Sequence, residues 1–432
     1  MSNVFRKAAN VYRNHGIQGV AKKSRSTLRY RTRHIRYVLK RDTLEMKSLR
    51  EEYSLLSNPV FQITSKDILA SQKTWQEKPL PKISSATWFV PYFTHFAYGG
   101  IQTIFRFIEK LSTEGVANNI VIYDMPTLDV AKLHNQISDF FPDLKNYTIT
   151  VFSDDKIESI ESLPPTDIAF CTMWVSAYFL LRYNKTKRKY YFIQDYEPFF
   201  YVAGSTFAMA ESTYRFGFRG VVNTPGLLAA INQRHGLEGI SFIPAVNRKM
   251  YWRDISQKPN KRVKIFFYSR PGNPRNAFVL GVLTISQLLQ KYGKKIEIIT
   301  AGAEWDEAEY GLKGLIDNRG LIGSIDEVAQ LYRSCDVGFA YMLNKHPSYQ
   351  MLEYAASGVA TVMNENEDHH WLYQNEKNCL LSEPSPAAMV EKISRLIDDA
   401  KLREKLVEGA QKALGYTWEQ QTEMIWNDIK KR

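Results

Sequence analysis

Three stretches of this sequence carry residue types suited to gripping an anion. Phe266-Phe267-Tyr268-Ser269-Arg270-Pro271-Gly272-Asn273-Pro274-Arg275-Asn276 begins as an apolar, strand-like run and then supplies two arginines. Guanidinium groups just past the carboxyl end of a strand can neutralise a diphosphate through forked hydrogen bonds. The bland alternative is a pair of surface arginines in a turn. In Asn344-Lys345-His346-Pro347-Ser348-Tyr349-Gln350-Met351-Leu352-Glu353, Pro347 followed by Ser348 reads as a capped helix start. The free N–H groups of Ser348, Tyr349 and Gln350 then face an anion. Glu353, one turn further in, could accept two ribose hydroxyls, or be an exposed helical glutamate. Its apolar neighbours Leu352, Tyr354, Ala355 and Ala356 favour a buried, paired role. The third stretch runs from Thr87-Trp88-Phe89-Val90-Pro91 to Gly99-Gly100-Ile101. Two glycines between a strand and a helix let the backbone approach a phosphate, or simply form a tight turn. No Gly-Lys-Ser/Thr follows, so this is not a Walker loop.

Carboxylates form a second group. In Ile193-Gln194-Asp195-Tyr196-Glu197-Pro198-Phe199-Phe200-Tyr201, Asp195 and Glu197 follow a strand and should face a cleft. They could bind sugar hydroxyls, bind an acceptor, or act as a base; loop capping is the structural alternative. Asp195 is the first candidate for a base and His95 the second. The aromatic residues around them could stack on sugars. His369-His370 beside Glu367-Asp368 imitates a metal site, but adjacent side chains point apart whereas ligands must converge. No Asp-x-Asp triplet occurs in the chain. No metal and no bound cofactor is expected.

These residues need an architecture that brings strand ends together. Strand-like runs at 86–92, 119–124, 147–152, 167–171, 189–194, 219–223 and 240–243 alternate with helical stretches. After a polar break at 247–262, alternation resumes with strands at 263–269, 296–300, 319–323, 336–341 and 360–364, and helices at 277–291, 325–333 and 348–357. Amphipathic stretches at 386–414 and 417–431 end the chain. Alternation of this kind predicts parallel α/β sheets wrapped by helices. The reading is two Rossmann-like domains facing across a cleft. Expected boundaries are 1–82 for a basic helical extension and linker, 83–250 for the first, acceptor-side domain, 251–415 for the second, and 416–432 for a helix packing back toward the first.

Composition bounds the rest. The 432 residues are 44% hydrophobic and 24% charged, with a net charge of +12, ordinary for a globular chain of two or three domains. The charge is localised: residues 1–50 hold fourteen Lys/Arg against Asp42 and Glu45, and the remainder is balanced. Leu28, Ile35, Val38 and Leu39 recur at helical spacing within this basic tail, which suits an anionic membrane surface. A solvated helix or one mediating homo-oligomer formation is the alternative. No recognition motif supports nucleic acid as a partner. No apolar run approaches a membrane span, and no apolar h-region suggests a signal peptide. Three widely spaced cysteines suggest no disulfide framework. The expected location is cytoplasmic, apposed to the inner face of the membrane.

Taken together, the glycine turn, the Arg270–Arg275 pair and the Pro-Ser-Tyr-x-x-Leu-Glu-x-Ala-Ala-x-Gly helix resemble GT-B glycosyltransferases of family 4. With Ile193–Tyr201 and His346-Pro347-Ser348-Tyr349, the chain over about 85–425 looks like the WsaF-type rhamnosyltransferases of bacterial surface glycan assembly. The resemblance implies a metal-independent, nominally retaining transferase. Its donor would be a nucleotide sugar such as dTDP-rhamnose, and its acceptor a lipid-linked oligosaccharide. It implies that Arg270 and Arg275 meet the diphosphate, with Gly99 and Gly100 opposite. Glu353 would hold the ribose, and Gly323, in Leu321-Ile322-Gly323-Ser324, would approach the base. Lys345 stands where the family's first glutamate of a Glu-x7-Glu pattern is usual, which points to a variant sugar site. A UDP-hexose donor, or a non-catalytic subunit binding glycan or a partner, are the alternative readings.

Overall fold

The computed structural model describes residues 46–432 except residues 95, 97, 98, 257 and 258. The chain divides after Gln62 into two units. In the first, the described part is helix α1 over residues 46–56 and one 3-10 turn at Pro59–Phe61. The run Leu28–Leu39 of the basic extension lies outside the described residues.

The second unit contains two parallel sheets. The first is made of β1 (Ser85–Pro91), β2 (Ala117–Tyr123), β3 (Tyr147–Val151), β4 (Thr166–Cys171), β5 (Thr186–Ile193), β6 (Arg219–Asn223) and β7 (Gly239–Phe242). Helices α2 (Ser65–Lys73), α3 (Gly99–Thr113), α4 (Val130–Phe140), α5 (Lys156–Ser162), α6 (Trp174–Arg182), α7 (Ser205–Ser212) and α8 (Pro225–His235) precede or connect these strands. The second sheet is made of β8 (Val263–Tyr268), β9 (Ile296–Ala301), β10 (Asp317–Asn318), β11 (Val337–Ala340), β12 (Ala360–Asn364) and β13 (Leu380–Ser382). Its helices are α9 (Phe278–Tyr292), α10 (Ile325–Ser334), α11 (Tyr349–Ser357), α12 (Pro386–Asp398) and α13 (Ala400–Ala413). Helix α14 (Trp418–Lys430) follows.

Helices cover these strands on both faces, so the central strands read as continuous apolar runs rather than alternating ones. In β1, every residue from Ala86 to Val90 is buried. Trp88 stacks on Phe170 of β4 at 3.8 Å between centroids, and its Nε1 donates to Asn118 Oδ1 at 3.0 Å. Helix α3 buries Ile101, Ile104, Phe105, Ile108 and Leu111, a stripe with the 3–4 spacing of an amphipathic helix. In the second sheet Phe267 stacks on Phe339, and Gly281 on α9 comes so close that a Cβ there would lie 2.0 Å from the Phe267 ring.

Strand order is 3-2-1-4-5-6-7 in the first sheet and 10-9-8-11-12-13 in the second. Each order reverses direction at one place, between β1 and β4 and between β8 and β11. Connections leaving those strands go opposite ways and open a crevice at the carboxyl edge. The glycine turn follows β1, the arginines follow β8, and the Ser348 cap follows β11. The topology therefore brings together residues 250 positions apart, such as Gly99 and Tyr349. Helix α14 returns to the first sheet: Ile425, Trp426 and Ile429 join its core, and Arg219 pairs with Asp428.

Three local expectations are corrected. Residues 319–323 form no strand; the pairing is only β10, because Gly320 turns the backbone to φ +56°. The helical stretch 386–414 breaks at Asp399, whose carboxylate caps α13 by accepting from the N–H groups of Lys401 and Leu402. The short edge strand β13 was not expected.

Candidate active site

A cavity of about 730 Å³ is lined by both sheets' carboxyl-edge loops. Of the residues singled out in the sequence, Gly99, Gly100, Asp195, Arg270, Arg275, Gly323, Ser348, Tyr349 and Glu353 line it. Glu197 and Lys345 do not. His95 lies outside the described residues.

Arg275 is the most constrained of the two arginines. The turn Pro274–Asn276 places it, Asn273 Oδ1 accepts from its Nε at 3.1 Å, and its guanidinium lies 4.3 Å from the Phe200 ring centre. Its Nη1 forms an ion pair with Asp195 from the first sheet. Asp195 also accepts from Asn344 Nδ2 and, at 2.8 Å, from the Tyr196 N–H. Removal from water pushes the Asp195 carboxyl up to about 6, with Arg275 pulling the other way. Arg270 is exposed and lines the cavity, its guanidinium 5.8 Å from the ring centre of Tyr268, to which it also hydrogen-bonds.

Ser348 caps α11, its Oγ accepting from the Gln350 N–H. Helix N-termini carry unpaired N–H groups and a partial positive charge, so this tip complements the arginines. Tyr349 spans the cavity: its hydroxyl meets Thr103 Oγ1 at 2.9 Å and accepts from Asn223 Nδ2 at 2.8 Å. Its ring packs against the Gly99 turn, 3.7 Å from where a Cβ on Gly99 would stand, an ordinary packing distance. Glu353 is half-buried, bonded to the Tyr251 hydroxyl, and raised to about 7 by desolvation.

Glu197 is 4% exposed behind the cavity wall. It accepts from the Trp174 N–H at 2.5 Å, capping α6, and from the Tyr191 hydroxyl at 3.0 Å. Burial raises it to about 8. Lys345 turns away to Asp368, 2.9 Å distant. The rings of His369 and His370 part: His369 is buried and His370 pairs with Glu365. Among the described residues no three metal-ligating side chains converge, and no helix is long and apolar enough to cross a membrane.

Sequence reasoning missed Asn344 and Tyr251 as site residues, and Arg106 on α3, which also lines the cavity. Asn344 sits in a stretch already marked for chemistry. Tyr251 comes from the interdomain break, where no spacing signals it. The charged lining groups are three arginines and two carboxyls of raised pKa, so the cavity favours an anion.

Two carboxyl-edge crevices opposed across one cavity define a GT-B architecture. The solved structure of Anabaena Alr3699/HepE in complex with UDP and glucose superposes with a TM-score of 0.59 at 12% identity, covering 81% of this chain and 100% of that one. S. aureus TarM, in a mutant form in complex with Fondaparinux, alpha-GlcNAc-glycerol and UDP, gives a TM-score of 0.64 at 9% identity, covering 81% and 100%. At such identities these likenesses establish the fold. The class is the GT-B fold. Residues 92–222 match the WsaF N-terminal domain and residues 263–394 the WsaF C-terminal domain, so the chain belongs to the WsaF family. It is also 39% identical over 352 residues to the O-antigen biosynthesis protein RfbC of Myxococcus xanthus. That match covers 81% of this chain and 27% of that protein.

Proposed function

We propose that the protein transfers a sugar, L-rhamnose from dTDP-rhamnose, onto a lipid-linked surface glycan. The observation that carries the donor half is the convergence of Arg270, Arg275, the α11 tip and Gly99–Gly100 on one cavity. Its volume suits a nucleotide sugar. The donor's pyrophosphate lies between the arginines and the two turns, Glu353 accepts from the ribose hydroxyls, and the backbone at Gly323 meets the base. As the bond from the sugar's anomeric carbon to the phosphate oxygen breaks, negative charge collects on the diphosphate. Fixed guanidinium groups then stabilise the transition state more than the bound donor. In a retaining course the departing phosphate oxygen takes the proton of the acceptor hydroxyl that bonds to the anomeric carbon. In an inverting course Asp195 takes it, with a pKa suited to a base near neutrality.

Rhamnose is the sugar that the resemblance to WsaF-type transferases implies, and the O-antigen relative supports a surface-glycan acceptor. A UDP-hexose donor is the second reading, supported by the Anabaena homologue solved with UDP-glucose. Nucleotide release measured over dTDP-rhamnose, UDP-glucose and UDP-galactose decides between them. Release from UDP-glucose alone removes the rhamnosyl reading. The basic extension would hold the enzyme at the inner face of the membrane, where a lipid-linked acceptor resides. Deleting residues 1–50 should then abolish sedimentation with anionic vesicles and spare turnover of a soluble acceptor; unchanged sedimentation removes this part.

A further inference from the structure

Asn344 is 2% exposed and borders the cavity. The orientation of its amide is fixed. The Lys345 N–H donates to Asn344 Oδ1 at 2.9 Å, and a donor must meet the oxygen, so Nδ2 faces the other way, to Asp195. The main chain that carries it is tied down as well. Asn366 Nδ2 donates to the carbonyl of Asn344 at 2.7 Å and to that of Met342 at 3.1 Å. Asn364, at the end of β12, accepts the Met342 N–H on its Oδ1 at 2.6 Å.

The two oxygens of Asp195 are therefore not equivalent. Oδ1 accepts from the Tyr196 N–H and from Asn344 Nδ2, which occupies both of its lone-pair directions. Oδ2 accepts from Arg275 Nη1 and, among the described residues, has no second donor. A pyrophosphate that draws Arg275 away leaves Oδ1 doubly held and Oδ2 open at the cavity. Tyr196 adjoins Asp195 in the chain, so Asn344 is the one of these two donors that reaches across from the second sheet.

Resting on the donor reading above, we propose that Asn344 is a positioning residue: by holding Asp195 Oδ1 it presents Oδ2 to a hydroxyl of the acceptor sugar. In the inverting course this is the attacking hydroxyl, whose proton passes to Oδ2. In the retaining course it is a neighbouring hydroxyl, because the attacking one gives its single proton to the departing phosphate.

Asp195 accepts from an acceptor while it is ionised, so the rate falls as pH drops through its titration. Burial opposes that ionisation, and Arg275, the Tyr196 N–H and Asn344 favour it. Glu197 and Tyr214 also face Asp195, and Lys345 is held by Asp368. Removing the Asn344 bond alone moves the acid limb to higher pH.

The test is nucleotide release by the full chain at saturating donor, over the three donors above, with water or added methyl rhamnoside as acceptor. It compares the wild type, Asn344→Ala, Asp195→Asn and the double variant across pH, with donor affinity read by calorimetry. Asn344→Ala is expected to lower the rate about tenfold, keep the donor dissociation constant within about threefold, and raise the acid limb by about one pH unit. In the Asp195→Asn background it should cost nothing further, whereas general damage to the fold would still cost. Asn344→Asp keeps the volume and the acceptor for Lys345, and should raise the limb further, since a second carboxylate opposes ionisation. An unmoved acid limb, a full loss in the Asp195→Asn background, or an Asp195→Asn enzyme of unchanged rate overturns the proposal while the donor reading stands. A wild type that releases nucleotide from none of the donors overturns both.

Discussion

The ion pair between Arg275 and Asp195 makes a sharp prediction, because the guanidinium expected to meet a pyrophosphate already holds a carboxylate. A donor must displace Asp195 or share Arg275 with it. Replacing Asp195 by Asn removes the competing charge and retains an acceptor for the Tyr196 N–H. A hydrogen bond to a charged group is worth about 1.5–3 kcal/mol. The two side chains keep 25% and 22% of their exposure, so screening favours the low end, about 1.5 kcal/mol. That corresponds to a roughly tenfold tighter donor dissociation constant. Calorimetric titration of Asp195→Asn with the nucleotide sugar measures it, and turnover with acceptor is read separately. A hundredfold or greater fall in turnover, the range for a lost base, would assign Asp195 to proton removal; a small change leaves that to the departing phosphate. Weaker donor binding by Asp195→Asn would refute the reasoning, since it would make the carboxylate a donor ligand.

Arg270→Ala should cost about 2–4 kcal/mol of transition-state stabilisation, read as kcat/KM at constant acceptor, and full activity would contradict the diphosphate assignment. Glu353 has a pKa raised to about 7, so it is an ionised acceptor above that pH and protonated below it. The ratio of wild-type to Glu353→Gln affinity for a nucleotide sugar, whose diphosphate diester does not titrate in this range, should therefore fall as pH goes from 8 to 6, a comparison that cancels the titration of Asp195, itself raised to about 6; a constant ratio would discount the ribose contact. Trp426→Ala removes an anchor of α14 from the first core and should lower unfolding free energy by about 3–5 kcal/mol in urea melts. A change below about 1 kcal/mol would show that the helix packs only peripherally.

Much of this architecture is written in local pattern. Parallel strands buried on both faces give apolar runs such as Phe89–Val90 and Phe266–Phe267, and the helices between them carry amphipathic stripes and caps such as Ser348. The switch-point topology then turns three short motifs into one cavity. What the pattern hides is direction. Nothing about Asp195 and Glu197, two residues apart, says that one meets Arg275 while the other turns back to cap α6; that depends on Trp174 at the start of α6 and on Tyr191 within β5. Lys345 is drawn away by Asp368, again a partner distant in sequence. Leu321-Ile322-Gly323 imitates a strand because its residues are apolar, yet Leu321 is largely exposed and the segment walls the cavity. Short β13 is specified by its neighbour β12 rather than by its own three residues.

The central claim is that the cavity binds a sugar donor through its diphosphate. Titration of the wild type and of the Arg270→Ala/Arg275→Ala double variant with dTDP-rhamnose, UDP-glucose and GDP-mannose tests it most directly. The account predicts one saturable site for one of these donors, abolished in the double variant while its far-ultraviolet circular dichroism is unchanged. Absence of binding by the wild type at millimolar donor, or undiminished binding by the double variant, would contradict it.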